Sequence, residues 1–190
     1  MNQIEFYSYD DEVWYRTADG ETDILDERHY DIIDQMFEII KENYKDSFEA
    51  LEEKYGKSKL NATYYRYVMV KRFIKCNFSR IDTTYIDVDS FGGQSQMNFE
   101  RVDCPLRGEC QFEGRICQPR FSTRLTEREM TVAKYWYDGK RKEEIAELMY
   151  LSAETINSHI RRIYMKLDVH SDAEFVKLAD AKRLFDKPIK

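Results

Sequence analysis

The 190-residue chain contains no apolar run near 18 residues, so none of it is expected to cross a bilayer as a helix. Its start, Met1-Asn2-Gln3-Ile4-Glu5, lacks the basic residues and apolar core of an export signal. A chain without such a signal is expected in the cytoplasm, where thiols are kept reduced, with no membrane partner. Low-complexity tracts and internal repeats are missing too. So are the short motifs of common catalytic sites. There is no His-Glu-x-x-His, no P-loop and no Gly-x-Ser-x-Gly, and the three histidines (His29, His159, His170) are scattered. Carboxylates are plentiful, but no pair has metal-ligand spacing beside a basic groove. The chain is therefore not expected to be an enzyme, and no residue is assigned a catalytic role.

What is present is unevenly distributed. The formal net charge is −6, yet residues 1–60 hold 7 basic and 17 acidic residues, a balance of −10. Residues 121–190 hold 14 basic and 12 acidic residues, a balance of +2. An acidic front repels polyanions, and a mildly basic back tolerates them.

Hydrophobic patterning divides the chain into three segments: 1–75, 76–120 and 121–190. Residues 1–22 alternate apolar and polar around Phe6, Tyr7, Tyr9, Val13, Trp14 and Tyr15, with Asp10-Asp11 suited to a hairpin turn. Over 26–56, Ile32, Ile33, Met36, Phe37, Ile40 and Tyr44 repeat at helical spacing, and Phe48, Leu51 and Tyr55 mark a second short helix. A third helix is predicted over 61–75. The first 75 residues thus form an acidic α+β region whose aromatic stripes are read as core. From 76 to 120, Ile81–Val88 and Met97–Val102 read as short strands around an Asp89–Gly93 loop, followed by a tight cysteine-bearing loop.

Residues 121–190 predict an all-α domain of four helices. Thr126 and Glu129 have the spacing of a capping box. The first helix runs to about Asp138, and the second covers about Lys142 to Met149. Ser152 caps a third, from Ala153 to Leu167, which Asp168 ends by tolerating a left-handed backbone. Ser171 caps a fourth, carrying Phe175, Val176 and Ala179. At roughly 100° per residue, Ile156, Ile160, Ile163 and Leu167 of the third helix share one narrow arc. Glu154, Asn157, Ser158, Arg161 and Met165 fall opposite, and Thr155, His159, Arg162 and Lys166 lie on one flank. Such a helix can pack by one face and offer the other to the DNA major groove, its short polar side chains meeting base edges and its flank meeting phosphates. Asn suits adenine and Arg suits guanine, while the backbone N–H groups at Ser152 and Thr155 suit a phosphate. An ordinary amphipathic surface helix would show the same pattern.

A set of residues in order sharpens this. Leu125-Thr126-x-Arg128-Glu129-Met130, Gly139, Glu144-Ile145-Ala146, Leu148, Leu151-Ser152, Thr155-Ile156, His159-Ile160, Ile163-Tyr164, Lys166-Leu167, Val169, Ser171 and Ala179 together resemble the LuxR/GerE-type helix-turn-helix domain. The resemblance covers about 55 residues. It implies a DNA-binding domain of a transcription regulator, usually dimeric through its fourth helix. By the same resemblance, Asn157, Ser158 and Arg161 face bases, whereas Lys142, Thr155, Arg162 and Lys166 face the backbone. Asp168 stands where the family usually has Gly, and Asp172 where Arg is common, which puts one surface or phosphate contact in doubt.

The family often carries a phospho-receiver domain in front. Asp10-Asp11 could mimic its acidic pair, but Glu52-Glu53 stands where a phosphoacceptor Asp is needed, and the βα rhythm of a doubly wound sheet is missing. No receiver is expected. The acidic N-terminal region is left to sense a signal, to dimerise, or to meet RNA polymerase or another protein.

Finally, Cys104-Pro105-Leu106-Arg107-Gly108-Glu109-Cys110 is followed by Cys117, with Cys76 upstream. Four reduced thiolates suit tetrahedral zinc, although the spacing is not that of a Cys-x-x-Cys knuckle. An iron–sulfur cluster, which would make the protein a redox sensor, and four plain thiols are the alternatives. The leading reading is a sequence-specific transcription regulator acting on double-stranded DNA. A protein-interaction adaptor on the same fold is the second reading, and a cysteine-based redox-sensing regulator the third.

Overall fold

A computed structural model describes residues 3–81, 86–89 and 96–185. The chain separates into two compact units, with the division between Ser122 and Thr123.

The N-terminal unit is a five-stranded sheet with three helices. Strand β1 (Gln3–Tyr9) pairs antiparallel with β2 (Glu12–Thr17) in the register Tyr9↔Glu12 to Ile4↔Thr17. Asp10 and Asp11 make the two-residue turn, both at positive φ (51° and 63°). This is the backbone that matches the twist of a hairpin and that Asp tolerates better than most residues. Strand β3 (Thr22–Ile24) adds to β2, which sequence reasoning did not foresee because its three residues are all exposed and carry no alternation. Helices α1 (Tyr30–Asn43), α2 (Lys45–Tyr55) and α3 (Ala62–Asn77) follow, with a 3₁₀ turn at Gly56–Ser58 before α3. The Asn61 side chain caps α3 by accepting from the Tyr64 N–H at 3.2 Å. Phe6, Val13, Met36, Ile40, Leu51, Phe73 and Phe78 are buried in one core, so most of the apolar pattern is packing, while Tyr9 and Tyr64 of the expected stripes are exposed.

Residues 76–120 differ from the small independent β module that patterning suggested. Strands β4 (Val88–Asp89) and β5 (Gln96–Met97) are two residues each and extend the first sheet in the order β3-β2-β1-β4-β5. Residues 98–102 are not strand; Asn98 and Glu100 instead donate backbone N–H bonds to the carbonyls of Asp87 and Asn77 at 2.9 Å. Most of the expected Asp89–Gly93 loop and residues 82–85 of the first expected strand lie outside the described residues. The join to β1 is strengthened by a buried bond, 2.6 Å, from the Phe6 N–H to the Asp87 carboxylate. Every strand pairing among the described residues is antiparallel, unlike the parallel doubly wound sheet of a receiver.

The C-terminal unit is helical: α4 (Glu127–Tyr137), α5 (Lys142–Met149), α6 (Ala153–Leu167) and α7 (Asp172–Ala181). These bounds follow the sequence signals closely because the caps are explicit. Thr126 and Glu129 form a complete capping box, and Ser152 and Ser171 accept from the Thr155 and Glu174 N–H groups. Asp168 ends α6 at φ 53°. Among the described residues, no helix is long and apolar enough to cross a membrane.

Candidate nucleic-acid interface

Helix α6 is held by the predicted stripe. Ile156, Ile160, Ile163 and Leu167 are buried against Val132 and Ala133 of α4, Ile145 and Ala146 of α5, and Phe175 of α7. The opposite face is open: Glu154, Ser158, Arg161, Arg162 and Met165 are exposed, and Asn157 is half-buried. Ser152 and Thr155 sit at its start with their hydroxyls 3.0 Å apart, and Ser152 Oγ accepts from the Thr155 N–H at 3.2 Å. Ser158 Oγ donates back to the Glu154 carbonyl at 3.0 Å, a local bond that an incoming partner can displace.

Two predicted residues from different helices meet. Lys142, in the first turn of α5, donates to Asn157 Oδ1 at 2.9 Å, and its ammonium lies 5.8 Å from the centre of the Trp136 ring. An expected phosphate contact and an expected base contact thus form one patch, with the amide orientation of Asn157 set by the lysine.

Lys166 has a different placement. Its ammonium donates to Glu129 at 2.6 Å, and the Glu129 side chain is 5% exposed. The Lys166 bond, followed by the backbone bond from Thr126, holds the Glu129 carboxyl down at about 2. Glu129 therefore closes the capping box of α4 and ties α4 to the last turn of α6. The capping signal was legible in sequence, but the ion pair spans 37 residues and left no local trace. A further bridge also spans distant residues. Trp136 Nε1 donates to the Tyr164 hydroxyl at 3.1 Å, and that hydroxyl donates to Asp172. Asp172, the departure from the usual Arg, thus has a partner inside the unit. Burial, reinforced by Asp172, pushes the Tyr164 hydroxyl up to about 12.

Residues 123–179 match the family described as "Bacterial regulatory proteins, luxR family" (GerE). The C-terminal unit is a luxR-family domain. The chain is 44% identical over 55 residues to "Uncharacterized response regulatory protein YgeK" of Escherichia coli (strain K12), covering 29% of this chain and 37% of that protein. It is 40% identical over 60 residues to "Fimbriae Z protein" of Salmonella typhimurium, 32% of this chain and 29% of that protein. "Response regulator UvrY" of Escherichia coli (strain K12) is 38% identical over 55 residues, 29% of this chain and 25% of that protein. The chain therefore spans about a third, or less, of the length of these relatives, and the family match does not extend into residues 1–122.

Outside the luxR-type domain, the N-terminal unit gathers the four cysteines. Cys76 lies on the last turn of α3, not in a β module, and Cys104, Cys110 and Cys117 come from the loop after β5. All four line one cavity of about 30 Å³ together with Arg72. Each is a half-buried free thiol, and burial pushes the Cys76 thiol up to about 11. Among the described residues, no group of three or more His, Cys, Asp or Glu is already arranged to hold a metal ion.

Proposed function

We propose that this protein is a sequence-specific regulator of transcription whose luxR-type domain binds double-stranded DNA with α6 in the major groove. The observation that carries the reading is the division of α6 into a fully packed isoleucine–leucine face and an open face bearing Asn157, Ser158 and Arg161. A helix so anchored presents base-reading side chains without leaving the core. Arg161 suits guanine and Asn157 suits adenine, each by paired hydrogen bonds. Lys142, Ser152, Thr155, Arg162 and Lys166 surround that face and suit phosphates, the last only by sharing its charge with Glu129. Similarity to proteins named as response regulators supports a regulatory role. Helix α7 would join two copies, so that two α6 helices address two half-sites. The acidic N-terminal unit would take the signal or meet a protein such as RNA polymerase.

Selection of bound duplexes from random DNA by the full chain tests this. A defined motif should emerge. On that motif Arg161→Ala should cost about 1–3 kcal/mol of discrimination, with little change on random duplexes. Arg162→Ala should weaken both alike and flatten the salt dependence by about one counterion. Absence of any salt-dependent duplex binding would favour the adaptor reading instead.

A further inference from the structure

The loop carrying Cys104, Cys110 and Cys117 has no strand or helix, yet it is tightly tied to the N-terminal core. Phe112 and Ile116 are buried within it. The buried Asn77 side chain clamps its far end, donating to the Phe73 and Ile116 carbonyls at 2.9 Å and accepting from the Gln118 N–H at 3.1 Å. Ser47 Oγ donates to the Arg115 carbonyl at 2.5 Å, and the Arg115 side chain pairs with Asp46 and Glu53. These bonds bring three loop thiols to the last turn of α3, where Cys76 stands.

The charged groups that line the cavity with the sulfurs are the guanidiniums of Arg72 and Arg107 and the carboxylate of Glu113, which accepts from the Gly108 N–H at 2.6 Å. Arg72 Nη2 lies 4.0 Å from Cys110 Sγ, and the Gly114 N–H donates to Cys117 Sγ at 3.3 Å. Arg72 Nε is buried with no hydrogen-bond partner among the described residues. The Arg72 guanidinium thus stands beside the sulfurs with its Nε unpartnered, placed to offset the charge that metal-bound thiolates carry.

We propose that Cys76, Cys104, Cys110 and Cys117 form a tetrahedral zinc site, with Arg72 as the charge partner of the thiolate set. Each thiol gives its proton to solvent and each sulfur donates a lone pair to one Zn²⁺, with no change of oxidation state. The centre carries a net charge of about −2 by this chemistry, which Arg72 partly offsets and the Gly114 N–H moderates. Binding draws the sulfurs inward from their present positions. Four sulfurs lining one cavity supply the full donor set of a single tetrahedral ion. The site owes nothing to the reading of α6, and metal rather than DNA reports on it.

The test is metal analysis of the full chain, followed by removal of the metal and titration with Co²⁺. About one zinc per chain is expected, and the cobalt form should show the intense thiolate-to-metal charge transfer of an all-sulfur tetrahedral site. Each Cys→Ser variant should lose about a quarter of that intensity per sulfur or fail to take up the ion. In the unsubstituted chain, all four thiols should resist a disulfide reagent until a chelator exposes them together. Arg72→Gln keeps every sulfur and should weaken zinc by about 10- to 100-fold in chelator competition. A folded chain that takes up neither zinc nor cobalt, or one that carries iron and sulfide, overturns the site. An Arg72→Gln variant with unchanged affinity overturns the role of Arg72.

Discussion

A buried carboxylate in a small helical unit is costly unless its charge is answered. Glu129 is answered three ways: by the Thr126 N–H at 2.8 Å, by Thr126 Oγ1 at 3.1 Å and by Lys166 at 2.6 Å. Glu129→Gln should therefore destabilise the luxR-type domain by about 2 kcal/mol at neutral pH, the scale of lost charge-assisted bonds. The folded carboxyl is depressed to about 2 from an ordinary 4.5, so its contribution is complete above the ordinary value and lost as the pH falls. Denaturant midpoints of wild type and Glu129→Gln should thus converge between about pH 4.5 and pH 2. A gap that stayed constant over that range would place the stabilisation elsewhere.

Lys166 follows from the same pair. Because Lys166→Ala strands a buried carboxylate, it should lower stability by about 2–3 kcal/mol, allowing for the lysine's partial exposure. Its effect on a nucleic-acid partner would then mix lost contact with lost fold. Thermal unfolding measured beside duplex binding separates the two. Arg162, exposed on the same helix, is the cleaner probe of phosphate contact.

At the scale of elements, α6 shows how far local signals reach. Its start, stripe and end were all legible: Ser152 as cap, four aliphatic residues in one arc, Asp168 as the stop. Asp168 occupies the left-handed region, with φ 53° and ψ 47°, where a Cβ is unfavourable. Asp168→Gly should raise the stability of the C-terminal unit by about 0.5–1 kcal/mol, less the extra chain entropy that glycine brings to the unfolded state. A lowered melting temperature would mean that the Asp side chain holds the C-cap in a way its backbone angles do not reveal. Strands β4 and β5 show the opposite limit. Two-residue strands carry too little alternation to fix either length or partner, and their neighbours in the sheet supply both, β1 for β4 and β4 for β5.

For the whole molecule, the uneven charge matters most. The N-terminal unit exposes Glu21, Asp31 and Glu49 among other carboxylates, and the field of such a surface opposes the approach of a polyanion. Replacing these three by amides in the full chain should speed association with a cognate duplex at low ionic strength. The gain should fade once the Debye length falls to about 8 Å near physiological salt. An acceleration that persists at high salt would point to a specific contact rather than a long-range field.

The sequence by itself determined the helices, the caps at Thr126, Ser152 and Ser171, the hairpin and which face of α6 would be apolar, because periodicity and capping act within a few residues and need no distant partner. It also carried the luxR-type pattern over one segment. Only the tertiary structure decided that Glu129 engages Lys166, that Lys142 steadies Asn157, and that β4 and β5 complete the N-terminal sheet. It also placed Cys76 on a helix facing three thiols from a loop 28 to 41 residues away along the chain. Those outcomes depend on which side chains meet across the chain, and such meetings are settled by packing the whole core, which no local window contains.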